Sequence, residues 1–446
     1  YDEPLRYRER GGRIAVREGD ERSPGLRWGR ARFTVRSGGS YNRVEGLPVL
    51  FGPTFRTADP NPFLVEGLAL WRTESGLRLD EDHLGYTIRA EQRLGRRPRL
   101  VLGAGAHSRV EPIADWGLTS LESSLSTFLL HEDYRDYYER EGWSAWARVD
   151  GARLPLSLEV EYRDEKHAFA PVSSPWTLRK NDDPWRPQPL VAEGDVRSLV
   201  GTLVYDDRND PEDPTDGWHG RLRVTRGLSG DLRTVEHFTQ DPPAVHESMP
   251  VDHTFTVGLL DVRRYNRVTP TSDLSFRFLF GGSLEGAPVP PQFQQALGGE
   301  GSVPGHGLFT ADCGARSATF LVERAAFDDE EDPRHPVFRR YGCDRAVLFQ
   351  LEYRSNFDVS IDLGPDDDEE WDDDWDWYPV VDLTPAWSFF FDAGRGWSEV
   401  DPGLDTGTIA DVGVGLFLGD IGLYWAYPLD GDDRGVNFFI RLNRRF

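Results

Sequence analysis

Apolar and polar residues alternate singly along much of this chain. Between residues 84 and 94, Leu84, Tyr86, Ile88, Ala90, Gln92 and Leu94 share one phase, against Gly85, Thr87, Arg89, Glu91 and Arg93. Leu156, Leu158, Val160 and Tyr162 alternate with Ser157, Glu159, Glu161 and Arg163. Trp218, Gly220, Leu222 and Val224 alternate in the same way with His219, Arg221, Arg223 and Thr225. Successive side chains of a strand point to opposite faces, so a period of two with one charged face predicts strands with one face in a polar environment.

Extended along the chain, this reading predicts strands at 27–37, 45–57, 61–74, 82–95, 99–112, 142–151, 154–167, 195–208, 217–228, 251–267, 272–284, 344–359, 379–396, 408–419, 421–429 and 436–446. Short turns then fall near 58–60, 96–98, 152–153, 209–216, 268–271 and 420, and long connections at 113–141, 168–194, 229–250 and 285–343. A soluble β-sandwich accounts equally well for the alternation but has no reason to sort its connections by length. Bacterial outer-membrane barrels do sort them, with short periplasmic turns and long outer loops. The parity holds at almost every connection, the exception being the acidic segment 360–378. The expected fold is therefore all-β: a transmembrane antiparallel β-barrel of about sixteen strands over 27–446, after a short periplasmic segment 1–26.

Composition agrees with that picture. Only 38% of the 446 residues are hydrophobic and 28% are charged. No stretch reaches the roughly 18 apolar residues that a membrane-spanning helix needs. A barrel escapes that test because only alternate residues face lipid. The aromatic content of 12% suits aromatic girdles at the two interfaces. The net charge of -25, with Lys166 and Lys180 the only lysines, disfavours a nucleic-acid partner, whose phosphates require a basic patch. The sequence opens at Tyr1 without Met or an apolar leader and is read as a mature or trimmed product. Two cysteines, Cys313 and Cys343, are too few for a zinc site. In an exported protein they can form one bridge, the alternative being two free thiols.

At the end of the sequence, counting back by twos from Phe446 gives Arg444, Leu442, Ile440 and Phe438. A terminal aromatic in phase with apolar residues is the expected signature of a last barrel strand. Arg444 would interrupt it near the interface, where a long side chain can snorkel.

Four places in the chain resemble the bacterial surface antigen superfamily, the barrels of BamA, TamA and two-partner secretion transporters. Tyr205-Asp206-Asp207-Arg208-Asn209-Asp210-Pro211 followed by Pro214-Thr215-Asp216-Gly217-Trp218 is similar to a periplasmic hairpin of that family. Leu297-Gly298-Gly299-Glu300-Gly301-Ser302-Val303-Pro304-Gly305-His306 resembles the tip of its sixth outer loop. Leu351-Glu352-Tyr353-Arg354 and Phe390-Phe391-Asp392-Ala393-Gly394 resemble elements of its twelfth and thirteenth strands. The strand phase agrees: Val347, Phe349, Leu351 and Tyr353 share one face, which leaves Glu352 and Arg354 on the other, and Trp387, Phe389 and Phe391 leave Asp392 facing inward. An ionised group on the lipid face costs roughly 2–4 kcal/mol at mid-depth.

The resemblance implies that loop 285–343 folds back into the lumen, held there by an arginine at its tip paired with the inward aspartate. Here that position is Pro304, which has no donor, and His306 stands where an aromatic is usual. Either another arginine, Arg316, Arg324 or Arg395, takes over Asp392 or the loop is held differently, and a Cys313–Cys343 disulfide is the expected staple at the base of the loop. Glu352, Arg354 and Asp392 are expected to form a structural ionic network. The resemblance also implies outer-membrane protein insertion or translocation, with lipid, other envelope proteins or unfolded barrel substrates as partners. Residues 1–26 are too few for the POTRA domains that precede such barrels, so this is expected to be a short member or a trimmed one.

The acidic runs Asp366–Trp377 and Phe327–Asp332 are read as solvated loops in preference to calcium sites, since they lack the spacing and glycine of an EF-hand. Segment 119–138 is expected to form a short amphipathic helix. No nucleophile elbow, phosphate-binding glycine loop, metal-binding His pair or reactive-cysteine context is present. No enzymatic activity, cofactor or metal is expected, and a porin-like channel or a purely structural barrel are the alternative functions.

Overall fold

The computed structural model describes residues 29–446, apart from 59, 76–83, 97–98, 174, 180–183, 187, 190, 239–245, 287–288, 314–341, 358, 363–379, 384, 399–404, 420, 432–434 and 443. Segment 1–26 and both acidic runs therefore lie outside the described residues, as do Arg316 and Arg324.

The strands in chain order are β1 (Arg30–Ser37), β2 (Pro48–Arg56), β3 (Phe63–Arg72), β4 (Leu84–Leu94), β5 (Arg99–Pro112), β6 (Tyr137–Asp150), β7 (Leu156–Phe169), β8 (Gly194–Asp206), β9 (Gly217–Gly230), β10 (Arg233–Phe238), β11 (His246–Pro250), β12 (Thr256–Thr269), β13 (Ser272–Ser283), β14 (Arg345–Asn356), β15 (Val359–Asp362), β16 (Val380–Leu383), β17 (Ala386–Trp397), β18 (Asp405–Leu418), β19 (Ile421–Pro428) and β20 (Asn437–Arg441). Sixteen of them form one sheet in which neighbours in sequence pair antiparallel, β1-β2-β3-β4-β5-β6-β7-β8-β9-β12-β13-β14-β17-β18-β19-β20. The remaining four form two separate ribbons, β10-β11 and β15-β16. The β15-β16 ribbon accounts for the one exception to loop parity: the chain after β14 leaves the sheet and returns through it to β17.

The two faces of the sheet are the reverse of a soluble protein's. Phe33, Ile88, Leu158, Phe349 and Phe389 stand exposed on the outer face. Glu91, His107, Glu165, Asp261, Arg277, Gln350 and Asp392 are buried on the inner one. Fully buried charges are rare unless paired, and here they are paired across strands. Arg140 lies 2.5 Å from Glu165, and Arg277 lies 2.7 Å from Asp261.

Two loops supply the material inside. The first plug, 113–136, and the second, 285–313, pack Trp116, Leu297, Val303 and Ala311 against Leu279, Ala346, Leu348 and Ile409 of the wall. The first plug touches both ends of the sheet and its middle. Asp136 accepts from Arg43, before β2, at 2.7 Å, the Trp116 carbonyl accepts from Arg277 of β13 at 2.7 Å, and Glu122 accepts from Arg441 of β20 at 2.6 Å. The sheet is thus curled around its own loops, although among the described residues no ladder joins β1 to β20.

The expected helix over 119–138 is shorter than the pattern suggested. A capping box of Thr119 and Glu122 starts α1 (Ser120–Leu125), and a wider turn, Ser126–Leu130, follows it. His131, at φ 63°, ends it in the left-handed region. The next residues are drawn off to pair with Arg43 instead of continuing the helix. Among the described residues no helix is long and apolar enough to cross a membrane.

Candidate plug site

The site is where the tip of the second plug meets the inner wall of β17, β18 and β20. The tip is a compact turn held by its own backbone. Gly299 N–H donates to the His306 carbonyl at 3.0 Å, Ser302 N–H to Gly299 at 3.0 Å and His306 N–H to Val303 at 3.1 Å. Ser302 Oγ accepts from Gly298 N–H at 2.8 Å. Val303 is fully buried. The carbonyls of Pro304 and Gly305 accept from Asn437 Nδ2 of β20 at 3.1 and 2.9 Å. Gly305 N–H donates to Asp411 of β18, and His306 Nε2 lies 3.1 Å from the Ala410 carbonyl. Pro304 thus contributes a carbonyl in place of a side-chain donor, and the backbone of the tip does the holding.

Asp392 and Asp411 are direct cross-strand partners between β17 and β18, and neither is exposed to solvent. Two adjacent buried carboxyls are accommodated by a cation or by sharing a proton. Arg395, expected as a candidate, points away and pairs with Asp405 through Nε at 3.0 Å. The cation is Arg445, whose guanidinium donates to Asp392 and lies 4.0 Å over the Phe390 ring.

This finding corrects the expected last strand. β20 ends at Arg441, and the Leu442 N–H is taken at 3.1 Å by Glu122 of the first plug. Phe438 and Ile440 stand on the outer face, 52% and 50% exposed, but Phe446 is buried at 8%. Leu442 lies beyond the strand and is half-buried. The reason is electrostatic: continued outward phase would have placed Arg444 toward lipid, whereas turning inward pairs both arginines. Arg444 donates to Asp273 of β13 at 2.7 Å and to Asp213, in the turn between β8 and β9.

The expected network of Glu352, Arg354 and Asp392 is divided among different partners. Glu352 accepts from Tyr424 Oη at 3.3 Å. Arg354 lies 4.3 Å over the Phe417 ring, while Asp392 belongs to Arg445. All three face inward, as the strand phase placed them.

At the base of the second plug, Cys313 and Cys343 are joined by a disulfide, and Cys343 also pairs with the Gln295 backbone at 3.0 and 2.7 Å. Alkylating the unreduced, denatured protein is expected to leave its mass unchanged, with two adducts appearing only after reduction. Two adducts without reductant would remove the bridge.

The first plug was not legible as a plug in the sequence. Its hold on the wall rests on Arg43, Asp133, Arg135 and Asp136, which are all buried. In the sequence they are unremarkable charges between strands, and the only signal was the length of 113–141. Among the described residues, no group of three or more His, Cys, Asp or Glu is placed to hold a metal ion.

The architecture and interior define an all-β, barrel-type protein, apolar outside and packed with its own polar loops inside. Among solved structures the chain is similar to BamA from Haemophilus ducreyi lacking POTRA domains 1–3, at 12% identity and a TM-score of 0.49, over 93% of this chain and 75% of that one. It is also similar to CdiB from Escherichia coli, at 13% identity and a TM-score of 0.35, over 92% of this chain and 62% of that one, less than two thirds of CdiB's length. No protein-family model matches, and no curated protein matches.

Proposed function

We propose that this protein is an outer-membrane β-barrel of the insertion or translocation type, kept closed at rest by its two plugs. The observation that carries this reading is the filled interior. A chain that presents apolar residues outward along its strands is suited to lipid, and a conducting pore needs a water-filled lumen. Here the plugs occupy that space through buried pairs such as Arg43–Asp136, 2.7 Å apart. The order of the four motifs along the chain supports the insertion or translocation role, with unfolded barrel substrates or other envelope proteins as partners.

Reconstituted in liposomes, the protein is expected to accelerate folding of a second, unfolded barrel protein into the same membrane. In planar bilayers it should conduct little, and deleting residues 298–306 should raise conductance. A large steady conductance unaffected by that deletion would favour a porin-like channel. Low conductance with no acceleration of folding would favour a structural barrel.

A further inference from the structure

The two plugs meet at Trp116, whose Nε1 donates to Gln295 Oε1 at 2.8 Å, and again at a phenol. Tyr134 Oη, in the first plug, lies 2.7 Å from Glu132 Oε2 and 3.0 Å from Glu300 Oε1 in the second. A phenol has one proton to donate. If it serves one carboxylate, the other contact is a hydrogen bond only when that second carboxyl is itself protonated and donates to the phenol oxygen. Glu132 is exposed and Glu300 is half-buried, so water stabilises the charge on Glu132 and Glu300 is the better place for the proton.

We propose that Glu300 carries a proton while the plugs are joined and releases it to solvent when they part, which makes this junction a pH-sensitive latch. The groups facing it agree. Burial pushes the Glu300 carboxyl up to about 7, and Glu132 and Glu122 push it the same way. The Tyr134 hydrogen bond and Arg441 oppose them. Arg441 donates to Glu122 at 2.6 Å and reaches only the backbone carbonyl of Glu300, at 3.4 Å. Burial, Glu300 and Glu132 push the Tyr134 phenol well up, so it stays a donor at neutral pH.

The sign follows from linkage. An acid whose pKa is higher in the joined state stabilises that state fully below its free pKa, and the contribution is lost as pH rises through the joined-state value. The latch therefore holds at acid pH and loosens through neutrality. From about pH 5.5 to about pH 8.5, a group titrating near 7 goes from about 3% to about 97% ionised.

Infrared titration, taken as the difference between the wild-type protein and Glu300→Gln so that the buried Glu45 carboxyl, also pushed up to about 7, cancels, should show one protonated-carboxyl band at about pH 5.5 that is gone at about pH 8.5. Plug-opening events in planar bilayers should increase over the same range. Glu300→Gln, an uncharged isostere that can still donate to the phenol, should keep openings rare at both pH values. Glu132→Gln should leave the band in place. The latch is overturned if the difference shows no such band, or if Glu300→Gln retains the wild-type pH profile. Neither readout depends on an insertion activity.

Discussion

Replacing Arg445 with Ala is expected to destabilise this protein by about 3–5 kcal/mol, the usual cost of leaving a buried charge without its partner. The variant strands Asp392 beside Asp411, neither of them exposed, and removes the guanidinium from the Phe390 face. Urea unfolding from lipid vesicles measures the change. Arg445→Lys should recover only part of it, because an ammonium cannot reproduce the planar guanidinium's stacking and forked donation. Asp392→Asn in the Ala background should recover more than Asp392→Asn costs in the wild type, since it removes the stranded charge. A wild-type midpoint for Arg445→Ala would mean that another cation serves Asp392.

Gly305→Leu is expected to drive the tip of the second plug off the wall. A side chain there would begin 2.6 Å from Asp411 Cβ and 3.0 Å from the Pro428 nitrogen, closer than carbon atoms can approach, and the backbone of β18 and β19 cannot give way. Overpacking a rigid contact costs typically about 1–3 kcal/mol, and withdrawal of the tip also forfeits its hydrogen bonds to Asp411 and Asn437. Conductance should rise well above the wild-type level. Gly307→Leu is the control: that position is exposed, and a Cβ there meets only Thr310 Oγ1, at 3.5 Å. Equal conductance in the two variants would mean that the tip does not seal the lumen.

The wall of this protein could be read from its residues because a strand imposes a local rule. Phe349 and Phe389 stood in one phase, Glu352 and Asp392 in the other, and the structure exposes the first pair and buries the second. Loop length then separated the two ends of the sheet. The motif at 297–306 marked a tip, and its Pro304 signalled that the hold on Asp392 had to come from elsewhere. Where from was not legible. Arg445 sits in the same short run as Arg444 and Phe446, and strand phase gave no reason for that run to leave the wall.

The sequence by itself determined the sixteen-stranded sheet and the inward aspartate, since period-two alternation and connection lengths are properties of neighbouring residues. The motif at 297–306 anticipated the second plug, but only the tertiary structure decided that 113–136 joins it and which partners hold the two. Arg445 lies 53 positions from Asp392, Arg441 lies 319 from Glu122, and Tyr134 lies 166 from Glu300. Such pairs form because a buried, water-poor interior makes an unmatched charge costly. That cost arises only once the curled wall has brought the partners together.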